Sequence, residues 1–220
     1  MKKLTTLLVM LLFTAGMAIG QNNNATLNQT GSNALATITQ ISDANGANIA
    51  TIDQLQANQN YTASILQDGD DNDATIFQDG GNQKRSVIEQ VGNLNDASVT
   101  VTGGGPVNLG DASDIYQTGN ENEASITMGL ISNGSSTIMQ TGNLNDAIVI
   151  ALDSGIADIT QTGNENIASI DSGFYSAGST AFITQNGDLN TGNIVQGTLG
   201  NAATINQTGN SNTSNIYQDQ

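Results

Sequence analysis

Small, aliphatic and glutamine residues recur at alternate positions along this chain. Thirteen glutamines have an aliphatic residue two places before them and Ala, Ser or Gly four places before. They are Gln29, Gln40, Gln54, Gln67, Gln78, Gln90, Gln117, Gln140, Gln161, Gln185, Gln196, Gln207 and Gln218. The aliphatic residue is Leu27 in the first case and Ile in the rest. A spacing of two puts all three side chains on one face of an extended strand, whereas a helix would scatter them around its circumference. The pattern therefore predicts short strands. Runs such as Gly119-Asn120-Glu121-Asn122 supply the connections, because Gly and Asn tolerate positive φ.

Further arms keep the small and aliphatic positions but lack the glutamine. Ala124-Ser125-Ile126-Thr127-Met128 places Met128 there, and the arms ending at Val101, Ala151 and Ser172 follow suit. Seventeen arms result. Units this short cannot bury a face alone and must stack on copies of themselves. The predicted fold is all-β: a two-sheet β-solenoid of about eight strand–turn–strand coils, roughly 22 residues each, stacked in cross-β fashion over residues 25–220.

The two arms of a coil differ. Gln40, Gln67, Gln90, Gln117, Gln140, Gln161, Gln185 and Gln207 form an unbroken series, accompanied by Ile38, Ile65, Ile88, Ile115, Ile138, Ile159, Ile183 and Ile205. The opposite series loses its glutamine in mid-array. Asn72, Asn95, Asn122, Asn145 and Asn166 precede the Ala of their arms by two residues and join the same inward face. An isolated buried amide is costly, but in a ladder each donates to one neighbour and accepts from the other. These three columns are the expected structural and self-assembly residues. The stack has a length on the order of 40 Å, and its terminal strands expose unpaired edges that template another chain. Head-to-tail addition of that kind gives an open filament.

Composition refines this picture. The chain has 220 residues with no Cys, His or Trp. Its abundance of polar residues would by itself suggest disorder, and the strict period overrules that for the assembled state. Met1-Lys2-Lys3 followed by the apolar run Leu7 to Phe13, with Ala18-Ile19-Gly20 after it, reads as a secretory signal peptide over residues 1–20 cleaved before Gln21. The apolar run is short for a retained membrane span. Residues 21–24 form a short segment before the first arm. Once the signal is removed, only Lys84 and Arg85 oppose 20 acids. That balance argues against nucleic acid or an anionic membrane as partner and against membrane insertion of the mature chain. Most acids read as a solvated rim. A sharper reading makes them gatekeepers that delay self-association until the chain is outside the cell.

The residues that carry most enzyme chemistry are missing. Without His or Cys the usual triads, zinc sites and thiol chemistry are excluded, so no catalytic residue, no cofactor and no metal site are expected. The acidic cluster Asp68, Asp70, Asp71 and Asp73 matches neither an EF-hand loop nor a glycine–aspartate calcium repeat. Asn-Gly-Ser at Asn133 is a triplet expected by chance, and Tyr116, Tyr175 and Tyr217 are too dispersed to form a stacking platform.

The spacing Gln-x-Gly-x-x-Asn-x-Ala resembles the curlin repeat of bacterial curli fibre subunits. It occurs as Gln67-Gly69-Asn72-Ala74, Gln90-Gly92-Asn95-Ala97, Gln117-Gly119-Asn122-Ala124, Gln140-Gly142-Asn145-Ala147 and Gln161-Gly163-Asn166-Ala168. The resemblance implies a secreted functional amyloid forming extracellular cell-surface fibres for biofilm matrix, adhesion and aggregation. It further implies unfolded export through an outer-membrane secretion channel and nucleation by a companion curli subunit. Familiar curli subunits carry a longer non-repeat segment after the signal. The repeats here are more numerous and less uniform, and Lys84 takes one Asn position; major and nucleating types both stay open. Two other classes compete. A monomeric secreted β-solenoid binding ice or polysaccharide would favour an outward Thr ladder, which Thr37 and Thr39 begin but Phe77, Asp171, Asn206 and Tyr217 interrupt. A surface adhesin would carry an anchoring domain, whereas the repeat runs on to Gln218.

Overall fold

A computed structural model of the chain describes residues 22–31, 33–42, 46–57, 60–81, 83–103, 110–130, 134–151, 155–173 and 178–218. The expected signal peptide, Pro106, Asn133 and Tyr175 lie outside the described residues. Within them the alternating pattern becomes seventeen strands and no helix. The long sheet stacks β1 (Asn24–Gly31), β3 (Ile49–Ala57), β5 (Asp73–Asp79), β7 (Asp96–Gly103), β9 (Glu123–Leu130), β11 (Asp146–Ala151), β13 (Ile167–Ser172), β15 (Thr191–Gln196) and β17 (Thr213–Gln218) in that order. The short sheet stacks β2 (Ala34–Ile41), β4 (Tyr61–Asp68), β6 (Lys84–Val91), β8 (Asp111–Thr118), β10 (Ser135–Thr141), β12 (Gly155–Thr162), β14 (Ser179–Asn186) and β16 (Ala202–Thr208). Every pairing is parallel, and odd and even strands never mix. This is the expected two-sheet β-solenoid, with its seventeen arms.

The register follows the repeat. Ile138 aligns with Ile115 and Ile159, and Gln140 with Gln117 and Gln161. Side chains alternate between core and solvent, so β4 reads buried, exposed, buried along its length. One slip would send every Ile and Gln outward. Away from the two ends the aliphatic column is fully enclosed, including Ile65, Ile88, Ile126, Ile138 and Ile170. The small position lets the two sheets approach across a thin core. At Gly192 even a methyl group would meet Ile183 Cγ2 at 3.1 Å and Gln185 Nε2 at 3.2 Å.

Connections from short to long sheet are uniform from β4 onward, four residues each, as at Gly119–Asn122. Each has two left-handed residues, such as Gly142 (φ 119) and Leu144 (φ 57). The second left-handed residue is Asp71, Leu94, Glu121, Leu144, Glu165, Leu189 or Ser211 and never one of the turn's asparagines. This departs from the expectation that Asn takes positive φ. The asparagines are occupied by inter-coil hydrogen bonds, and the strained backbone falls on the residue between them, whose side chain only has to point out.

Candidate assembly site: amide ladders and open ends

The short sheet's glutamine series is an unbroken hydrogen-bonded column. Nε2 of each donates to Oε1 of the next: Gln40 to Gln67, Gln67 to Gln90, Gln90 to Gln117, Gln117 to Gln140 and Gln140 to Gln161, all at 2.9 Å. Gln161 donates to Gln185 at 3.0 Å and Gln185 to Gln207 at 2.8 Å. The second N–H is used as well. Gln117 Nε2 reaches Asp96 O at 2.9 Å in the preceding coil and Asn122 O at 3.0 Å across its own turn. These amides are buried without being orphaned, which is the condition for a polar core.

A second column lies at the uniform edge. Asn72, Asn95, Asn122, Asn145 and Asn166 sit just before their strands, inside the turn, and all are buried. Nδ2 of Asn122 donates back to Asn95 Oδ1 at 3.0 Å and forward to Gly142 O at 2.8 Å. Asn145 and Asn166 repeat the arrangement. The column also takes in Asn48, Asn190 and Asn212, which sequence reasoning left out of the series. Their spacing to the following ladder position is the same, so the signal was present. The two columns have opposite polarity: Gln amides donate toward the C-terminal coil and Asn side chains donate to the Oδ1 of the N-terminal one.

The long sheet's glutamine column runs from Gln29 to Gln54 to Gln78 at 2.7 and 2.9 Å and then stops. Gln78 Nε2 turns to Ser86 Oγ at 2.9 Å. Val101, Met128 and Ala151 follow, nearly apolar and buried, with the Ser113 hydroxyl donating to Met128 Sδ at 2.7 Å. Ser172 Oγ donates to Gln196 Oε1 at 3.3 Å, and Gln196 to Gln218 at 3.0 Å resumes the column. An amide column breaks cleanly only if apolar residues replace it, because a half-paired amide in the core costs more than none.

At the opposite edge the position corresponding to Asn holds Tyr61, Lys84 and Asp111 in β4, β6 and β8. Lys84 is entirely enclosed, donates to Gly103 O at 2.7 Å and lies 3.7 Å from Asp111. Burial pulls its pKa down, opposed by Asp111. Tyr61 hydrogen-bonds Gly80 O at 2.6 Å, and burial, aided by Asp79 and Asp111, pushes its pKa up to about 12. Sequence reasoning placed Lys84 here but overlooked Tyr61, whose column position marked it as inward. Arg85 points out and pairs with Asp114 at 2.6 Å. Both cations thus tie β6 to β8.

The outer face of the long sheet aligns Asp73, Asp96, Glu123 and Asp146. Burial raises the Asp73 carboxyl, with a further contribution from Asp96, and burial raises Asp146. At the ends the enclosure fails. Leu27, Ala36, Ile38 and Ile216 are only partly covered, although they occupy core columns. The expected ladder residues therefore fall into two hydrogen-bonded columns and one apolar column that run to open edges.

Among known families, the curlin associated repeat matches residues 69–103, which span β5, β6 and β7 with the turns before and between them. No curated protein matches the chain.

Proposed function

We propose, from the match of residues 69–103 to the curlin associated repeat and the recurrence of that spacing along the chain, that the protein is a curli-type structural subunit that self-assembles head to tail into extracellular amyloid fibres for biofilm matrix, adhesion and cell aggregation. The role is mechanical rather than catalytic. The observation that carries the reading is the open solenoid: among the described residues the terminal strands β1, β2, β16 and β17 each have one unpaired backbone edge, and Leu27, Ala36, Ile38 and Ile216 are only partly covered. Exposed strand edges with matching side-chain columns favour addition of another copy over a soluble monomer. Each added copy extends both sheets, so growth has no geometric limit. Purified protein is expected to convert into thioflavin-positive fibres giving a meridional reflection near ~4.8 Å. Soluble monomer persisting at high concentration would overturn the proposal.

A further inference from the structure

The two edges of the solenoid carry two kinds of connection. From β4 onward, turns from short to long sheet place a glycine two residues after the ladder position, with φ between 98 and 128 (Gly209 and Gly69), and a second left-handed residue two places later. After β3, the left-handed glycines at the opposite edge have φ from 68 to 77 (Gly80 and Gly103), and connections there run from three residues to seven. The β1–β2 connection lies on this opposite edge. Yet Gly31, two residues after Gln29, has φ 115, and Asn33 has φ 62. The first turn is therefore built in the style of the other edge.

Its misfit is visible inside the chain. Pairing of β1 with β3 shifts register between Gln29 and Gly31, where the turn of β1 meets the straight continuation of β3. The connections before and after β3 are seven and three residues long rather than four, and this extra arm puts everything after it out of phase with β1–β2.

The described body also starts and finishes in the long sheet. If a second copy were stacked without rotation, its β1 would follow β17, and its β2 would stand one empty strand level away from β16. A half-revolution about the long axis removes that gap. Successive strands run in opposite directions in the two sheets, so the rotation preserves strand direction while exchanging the sheets. The second copy's β1 then follows β16, its β2 follows β17, and its Gly31 turn sits on the Gly209 turn of the same style.

Side chains at the two ends match this arrangement. Gln29 and Gln40 accept at Oε1 from no described residue, while the columns ending at Gln207 and Gln218 donate toward the C-terminal end. Asn23 accepts from Asn48 N at 2.9 Å, but its buried Nδ2 has no partner among the described residues. From Asn72 onward Nδ2 in this column donates to the Oδ1 of the preceding coil. The strand β16 is alone among the eight short-sheet arms in having an asparagine, Asn201, six residues before its ladder glutamine. A half-revolution brings Asn23 of one copy to Asn201 of another.

We propose that copies of this chain join end to end with a half-revolution about the fibre axis, so that β1 and β2 of one copy extend the sheets ending in β16 and β17 of the next. The inference rests on the fibre reading above and adds the joint geometry. The chain has no cysteine, so paired cysteines report the joint directly. Asn28, Asn206 and Tyr217 each precede a ladder glutamine and point outward. Fibres of N28C/N206C should oxidise into a reduction-sensitive covalent ladder, and fibres of N28C/Y217C should remain monomeric on denaturing gels. The reverse pattern overturns the joint and leaves the fibre intact; variants that give no fibre under conditions where the parent protein does are replaced by a measurement on the parent. Its axial repeat is expected at roughly 82 Å, spanning two copies, against roughly 43 Å for unrotated stacking. A parent protein that forms no fibre overturns the fibre reading itself and the joint with it.

Discussion

At the edge where the chain passes from the short sheet to the long one, seven turns repeat a single backbone conformation. At the opposite edge the connections vary in length and carry Tyr61, Lys84 and Asp111 where the first edge has asparagine. The difference shows where a solenoid demands identity. At the uniform edge consecutive coils touch through backbone: Gly142 N donates to Thr118 O at 2.9 Å, and Gly163 N to Thr141 O at 2.9 Å. A Cβ on Gly142 would overlap the Gly163 carbonyl. Every level must therefore adopt the same φ and ψ. At the other edge inter-coil backbone hydrogen bonds follow no common pattern, as from Asp111 N to Gln83 O at 3.1 Å and from Gly173 N to Gln196 O at 2.9 Å, and connections of different length leave the strand order undisturbed.

The sharpest way to break this comparison is one methyl group at each edge. Gly142→Ala combines left-handed strain with a backbone collision and is expected to cost on the order of 3–5 kcal/mol. Gly178→Ala, at the irregular edge with φ 74 and no atom of the described residues within 4 Å of the added carbon, is expected to cost about 1 kcal/mol. Equal losses in denaturant unfolding would mean that the two edges are constrained alike.

The irregular edge has its own demand, which is charge. Asp111→Ala leaves Lys84 enclosed without its carboxylate and is expected to destabilise by about 3–5 kcal/mol, while K84M/D111L together should be close to neutral. A double variant as unstable as the single one would show that the pair itself, rather than the orphaned charge, sets the energetics. The two glutamine columns supply a further contrast. Gln117→Leu interrupts the complete column, removes the acceptor Gln90 has in it and leaves Gln140 Oε1 without its donor, at a cost of about 2–4 kcal/mol. Met128→Leu, in the interrupted column, is expected to stay under about 1.5 kcal/mol. Similar values by chemical denaturation would remove the distinction between the sheets.

Acid gives a smaller effect. Asp73, Asp146 and Asp158 have carboxyls raised above the ordinary 3.8, in each case first by burial. The folded state therefore binds their protons more tightly than the unfolded one. Stability should increase as pH falls through the raised folded values toward 3.8, and the penalty should be fully present above them. A thermal midpoint that does not rise between neutral pH and that window would count against it. Smallest of all, Ser136→Ala removes a buried hydroxyl that has no partner among the described residues and is expected to stabilise by about 1 kcal/mol.

Much of this was legible beforehand because the period is two. Alternation alone assigned Ile88 and Gln90 to the core and Glu89 to the outside, and the spacing of Gln67, Gln90 and Gln117 placed them on one sheet. Asn48 and Tyr61 were missed for the same reason that others were found: they hold column positions inside arms whose flanking residues deviate. The turn conformation was misjudged because the tolerance of asparagine for positive φ is a local property, and here long-range hydrogen bonds claim the asparagines first.

Sequence by itself determined that short strands stack, which residues face inward, and that the glutamine column is complete on one side only, since these follow from the direction of alternate side chains in an extended chain. Tertiary structure alone decided the opposite donor polarities of the Gln and Asn columns, the left-handed Leu and Glu residues, the burial of Tyr61 against glycine carbonyls, and the phase reversal between β1–β2 and the coils after β3. Those properties arise from contacts between levels about 20 to 27 residues apart in the chain, where hydrogen-bond direction and backbone collision depend on what the neighbouring coil presents.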